Sequence, residues 1–310
     1  MRYFLIVLAT FFYTQSFSWG FFAHKKINYL AVFTLPPEII EFYKINIEYI
    51  SETAINPDKR RYIDKEEGCR HFIDLDKYHD SVRFSMPKYW NKALEKFPED
   101  TLKLYGIVPW HIYLLKFQLT QAFKNRDQER ILKISSEIGH YISDAHVPLH
   151  TTYNYNGQFT DQHGIHGFWE SRLPELFFGE YDLFLGNASY LDDVQGSVWS
   201  AVYHSHQALD SVLSIEKKLS QTFGSDKKFS FEERNGLTIK VYSFDFSKTY
   251  HYLLNSQVEK RIKASIKMVG DIWFTAWVDA GQPYLGKHRM DEIPFREENI
   301  PFNNLSDHQF

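Results

Sequence analysis

The chemistry-bearing residues of this 310-residue chain are concentrated between His140 and Glu170, where the sequence reads HYISDAHVPLHTTYNYNGQFTDQHGIHGFWE. Five of the chain's fourteen histidines fall in these 31 positions: His140, His146, His150, His163 and His166. Residues four apart share one face of a helix, so His140 with Asp144 and His166 with Glu170 each present an imidazole and a carboxylate side by side. Such a pair is half of a zinc site and needs further ligands from elsewhere in the chain.

His150 lies between the two pairs, just past Pro148. Proline does not continue a helix interior, so Val147-Pro148 predicts the end of the first helix and a swing toward the second. That turn lets His150 face a metal held mainly by the second helix. His146 and His163 fall outside both aligned faces and read as ordinary core or surface histidines.

The elements that must hold these residues read as helices. Asp127 is a natural N-cap for a helix running to Val147, with Ile131, Ile134, Ile138, Tyr141 and Ile142 as its apolar stripe. Helical spacing also covers residues 37–51, 86–97, 110–125, 173–178, 192–222 and 246–280, and the stripe Trp273, Phe274 and Trp277 reads as core. Residues 151–165, polar and tyrosine-rich, read as a loop over the site. The charged stretch 224–236 reads as a connection. Arg70 to Asp76 alternates polar and apolar residues around His71, and Asp58 follows Pro57 in a turn signal. The expected architecture is all-α, a single mainly helical domain.

A formal charge of -4 gives no basic field of the kind that coats nucleic acid. Arg2 followed by an apolar run to Tyr13, with Ser16 and Ser18 as small residues, reads as a signal peptide spanning residues 1–18 and cleaved after Ser18. The expected product is secreted or periplasmic, begins at Trp19, carries no transmembrane anchor and works as a monomer without a stable protein partner. The domain is expected over 19–285, followed by a polar C-terminal tail over 286–310. Cys69 is the only cysteine, so an intramolecular disulfide is excluded.

In their order along the chain, Trp19, His24, Asp58, His71, His140, Asp144, His150, His166 and Glu170 resemble the ligand set of the zinc-dependent phospholipase C and S1/P1 nuclease superfamily. The resemblance spans about half of the chain, from Trp19-Gly20 to Phe168-Trp169-Glu170. It implies a cleft with three zinc ions. One would take Asp58, His71, His140 and Asp144, and a second His150, His166 and Glu170. The third would take the α-amino nitrogen and carbonyl oxygen of Trp19 with His24 and the bridging Asp144. Asp58 would also serve as general base. Three divalent ions against three carboxylates leave a positive cleft, suited to a phosphodiester and its more negative transition state.

The departures from the family bear on substrate. Nuclease members usually carry a Gly-Gly-Asn segment, a longer insertion and an aspartate at the second zinc. Here the loop is short and ends in Glu170, as in the bacterial phospholipases C. The missing disulfides point the same way, whereas His146-Val-Pro-Leu-His150 is common among nucleases. The expected activity is therefore a phospholipase C-like phosphodiesterase acting on a lipid head group. The alternatives are an S1/P1-type nuclease acting on nucleic acid and a non-catalytic zinc-binding exported protein.

Overall fold

In a computed structural model, residues 20–287 apart from Asn235, together with 289–290, are described. The signal peptide expected over 1–18, Trp19 and most of the tail expected over 286–310 lie outside them. Among the described residues the chain is mainly helical, with a single two-stranded hairpin. Among the described residues no helix is long and apolar enough to cross a membrane.

The helix Gln128–Ala145 is the axis of the molecule. Asp127 caps it by accepting a hydrogen bond from the Arg130 amide (3.1 Å). Its predicted stripe is fully used, since Ile131, Ile134, Ile138, Tyr141 and Ile142 are all buried. From Ile134 to Ala145 its other faces are mostly buried as well, because it packs against Phe21–Ala31, Ile47–Glu52, Val108–Asn125, Val194–Thr222 and Gln257–Asp279. Serines on those faces are paired through side chain and backbone: Ser135 Oγ bonds the Tyr43 hydroxyl (2.8 Å) and Ser136 Oγ donates to Ile50 O (3.1 Å). Ser135 O accepts from Trp273 Nε1 (3.1 Å), and Asn28 donates to Ser136 O (2.9 Å).

Gly139 sets how closely the Phe21–Ala31 helix approaches, because a Cβ there would fall on the Asn28 side-chain amide. Asn28 is fully buried and also donates to Ile50 O (3.3 Å), so it has little room to retreat.

Three expected helices differ in the structure. Residues 37–51 form two, Pro37–Ile45 and Ile47–Glu52, separated at Asn46, whose side chain donates back to Phe42 O (2.9 Å). Residues 246–280 also form two, Phe244–Leu253 and Gln257–Asp279, because Asn255 and Ser256 adopt left-handed backbone (φ 50° and 59°). In 86–97 only Trp90–Leu94 is α-helical.

The connection at 224–236 contains a strand. Phe229–Arg234 pairs antiparallel with Leu237–Tyr242, and Arg234 opposite Leu237 leaves a connection whose sequence is Asn-Gly. Asn-Gly is the residue pair such a connection favours, with Gly236 at φ 76°.

Candidate metal centre

The suspected ligands within the described residues are carried by several separate segments, some helical and some irregular. His140 and Asp144 project from the C-terminal part of the central helix, where both are buried. His24 comes from Phe21–Ala31, and its ring stacks on His140 at 4.1 Å between centroids. Asp58 sits in the short helix Asn56–Arg60, which Pro57 helps to start.

His71 lies on an irregular segment pinned from both sides. Ile107 N donates to Cys69 O (2.7 Å), Val108 N to Phe72 O (3.2 Å) and Ile73 N to His150 O (2.9 Å). His150 in turn follows the turn at Pro148, and its Nδ1 donates to His71 O (2.7 Å), which leaves Nε2 for the site.

His166 and Glu170 are one turn apart, but that turn is widened. Ile165–Gly167 is α-helical and Phe168–Arg172 is π-helical. Pro174 supplies a reason, since its ring would clash with the carbonyl four residues earlier, that of Glu170. The wider turn relieves this and still brings Glu170 Oε2 to 2.7 Å from His166 Nε2.

The ligand atoms converge in overlapping groups. His71 Nδ1 and His140 Nε2 lie 3.0 Å apart, with Asp144 Oδ2 at 2.9 and 3.3 Å from them and Asp58 Oδ1 at 3.8 Å from each. His150 Nε2 and His166 Nε2 lie 2.9 Å apart, and Glu170 Oε2 is 3.3 Å from the former. His24 Nε2 is 3.5 Å from Asp144 Oδ1 and 3.4 Å from Glu170 Oε1. Asp144 and Glu170 thus each offer one oxygen to the His24 group and the other to a neighbouring group.

These residues fit zinc. Two imidazole nitrogens about 3 Å apart can share only one proton, and tetrahedral Zn–N bonds place neighbouring nitrogens about 3.3 Å apart. The donor set is the nitrogen and carboxylate set that zinc takes. Near the N-terminus, a Cβ on Gly20 would lie 2.7 Å from Glu170 Oε1, so the backbone beside residue 19 runs directly past the site.

The charges agree. Burial would push His150 down, but Asp144 and Glu170 overcome it and raise it to about 9. His140 is raised too, burial being outweighed by Asp144 and Asp58. Asp144 and Glu170 are held well below the usual carboxylate range, against their burial, by the surrounding imidazoles. The pocket is built to gather positive charge, which protons supply when metal does not.

His146 is buried with Nδ1 donating to Ile142 O (2.7 Å), burial holds it down at about 3, and His163 is exposed. Cys69 is half-buried, its thiol pushed up by burial and donating to Glu66 O. Asp76 anchors the loop beyond the site, accepting from Thr152 Oγ1 (2.6 Å) and Tyr153 N (3.0 Å).

The sequence reading missed two features near the site. Arg61, one turn after Asp58, places Nη1 3.7 Å from Asp58 Oδ1 at the partly open side of the cluster. Glu67, fully buried, lies behind His71. The signal for both was helical spacing, three residues for Arg61 and four for Glu67.

No protein-family model matches this chain, and no curated protein sequence does. Among solved structures, the alpha toxin of Clostridium absonum matches 83% of this chain and 64% of its own at 12% identity, with a TM-score of 0.48. The Clostridium perfringens alpha-toxin from avian strain SWCP matches 85% and 64% at 15% identity, with a TM-score of 0.44. The chain therefore spans less than two thirds of the length of either toxin.

Proposed function

We propose that this protein is a zinc-dependent phosphodiesterase of the phospholipase C and S1/P1 nuclease type, acting on a phospholipid head group. The observation that carries the reading is the division of Asp144 and Glu170 between adjacent groups of imidazoles, which suits several ions close together rather than one. His71, His140, Asp58 and Asp144 would hold one zinc, and His150, His166 and Glu170 a second. His24 with Asp144, Glu170 and the terminal amine of Trp19 would hold a third, once residues 1–18 are removed during export.

Zinc bound there would supply Lewis acidity and positive charge toward a phosphate ester. The remaining work belongs to the chain. Asp58, partly exposed at the edge of the group, accepts the proton of the attacking water. Arg61, beside it, is placed to meet a non-bridging phosphoryl oxygen with a charged donor. The buried walls around His24, His140 and Asp144 keep bulk water from the inner side of the site, so these charges act at low dielectric.

The test is one parallel assay. Protein beginning at Trp19 and reconstituted with zinc is offered phosphatidylcholine, other phospholipids, single-stranded DNA and RNA. Release of a phosphorylated head group with the nucleic acids intact is the expected result. Cleavage of nucleic acid alone would replace the lipid reading with the nuclease one. No turnover on any of them, with the metal bound, would leave a zinc-binding protein without catalysis.

A further inference from the structure

Behind the first group of ligands lies a fully buried carboxylate that belongs to none of them. Glu67 closes a turn, its amide donating to Asp64 O (3.1 Å), and its side chain points inward beneath His71. Oε2 accepts from Arg70 Nη1 (2.6 Å) and Arg60 Nε (3.2 Å). Oε1 accepts from the Tyr141 hydroxyl and lies 3.4 Å from His71 Nε2. Arg60 is itself fixed by Glu137 Oε1 (2.6 Å) and the Tyr141 hydroxyl (3.2 Å). Two guanidinium groups on one oxygen offset the cost of burying this carboxylate.

His71 Nε2 is itself buried and has no hydrogen-bond partner within normal geometry among the described residues. Its nearest acceptor is Glu67 Oε1, only a few tenths of an ångström beyond a normal hydrogen bond. The opposite nitrogen, Nδ1, faces Asp144, His140 and Asp58. An imidazole that donates from one nitrogen to a fixed carboxylate presents the lone pair of the other, in a set direction and with raised basicity.

We infer that Glu67 is a positioning residue for the first metal site: it takes the His71 Nε2–H and aims Nδ1 at the ion, while Arg60 and Tyr141, themselves bonded to each other, suffice to hold the carboxylate still. The inference rests on the zinc reading of the site. Its wider consequence is that the first site is coupled through Glu67 to Arg60, whose short helix also carries Asp58. One buried carboxylate therefore fixes both a ligand and the segment that delivers the general base.

The test uses the full mature chain and measures zinc affinity by chelator competition, independently of activity. Glu67→Gln keeps the shape and removes the charge. It should weaken the tightest His71-dependent site by about 10- to 100-fold, the usual range for losing such a partner. Arg70→Gln breaks an ion pair to the same carboxylate but leaves Oε1 beside His71. It should lower the melting temperature with zinc affinity changed by no more than a few-fold.

Equal zinc affinity in Glu67→Gln and the unsubstituted protein would overturn the inference, as would an equal loss in Arg70→Gln, which would mark the effect as packing. Should Glu67→Gln not fold, ¹⁵N-detected spectra of the zinc-loaded unsubstituted protein decide. A slowly exchanging His71 Nε2–H supports the assignment, and a proton on Nδ1 overturns it. Failure of the unsubstituted protein to bind zinc at all is a separate result that would remove the parent reading and this inference together.

Discussion

His24 Nε2 lies 3.4 Å from Glu170 Oε1, while the other oxygen of the same carboxylate lies 2.7 Å from His166 Nε2. A helix at the beginning of the described chain and a widened turn in its middle thus meet at one side chain. Glu170 was expected to serve only the second zinc. In the structure it faces two groups, and its substitution should be felt in both. Glu170→Ala is therefore expected to lose more than one zinc per chain by metal analysis, with added zinc restoring occupancy only partly. Loss of one ion or none would show that His24 does not depend on Glu170.

Asp58 is the least enclosed carboxylate of its group, at 13% side-chain exposure, and its Oδ1 is 3.8 Å from both His71 Nδ1 and His140 Nε2. Asp58→Asn retains an oxygen that can face the metal but cannot take the water's proton. Turnover is expected to fall by about 10²- to 10⁴-fold with KM changed much less. Near-normal kcat in steady-state kinetics, with the zinc complement intact, would remove Asp58 from the chemistry.

The titration of His150 sets opposite pH dependences for the metal-free and metal-loaded protein. Its folded-state value is raised to about 9 from an ordinary 6.5, because Asp144 and Glu170 outweigh its burial. The stability this contributes is fully present below pH 6.5 and is lost as the pH rises through about 9. It amounts to roughly 3 kcal/mol at 1.36 kcal/mol per unit. Zinc must displace that proton, so its binding tightens over the same interval and releases protons into the buffer. Thermal melts of stripped and loaded protein from pH 6 to 9 should diverge, the stripped protein losing stability while the loaded one holds it. Parallel curves would contradict the assignment.

At Gly139 the helix carrying His140 has Asn28, from the helix carrying His24, lying directly against its backbone. Gly139→Ala must push Asn28 out of its bonds to Ile50 O and Ser136 O or separate the helices. About 1 to 3 kcal/mol of destabilisation is expected from overpacking, with weaker zinc binding at the His24 group. Unchanged denaturant midpoint and unchanged zinc affinity would show that the packing gives way without cost.

How much of this was legible in the sequence follows from which signals are periodic. His140 with Asp144 and His166 with Glu170 stood out because four-residue spacing on a helix is a geometric statement, and it survived even the π-helical widening at Phe168–Arg172. The same spacing linked Glu67 to His71, but it was overlooked because no regular helix surrounds them. Asp58 and His24 carried no spacing signal and entered only through the family resemblance. Long range meetings such as Asp144 with His24 depend on how helices pack, which periodicity does not encode. The hairpin at Phe229–Tyr242 did carry a signal, Phe-Ser-Phe-Glu and Leu-Thr-Ile-Lys-Val alternating on either side of Asn-Gly, but the run Glu232-Glu233-Arg234 beside it reads as a charged connection.

The central claim is that several ions held by shared carboxylates activate the protein toward phosphate esters. The most direct measurement titrates zinc into chelator-stripped protein beginning at Trp19, following bound metal and phosphodiester hydrolysis together. Binding that approaches three ions per chain is expected, with hydrolysis rising only as the later sites fill. Hydrolysis that persists in the stripped protein, or saturates with a single ion bound, would contradict it.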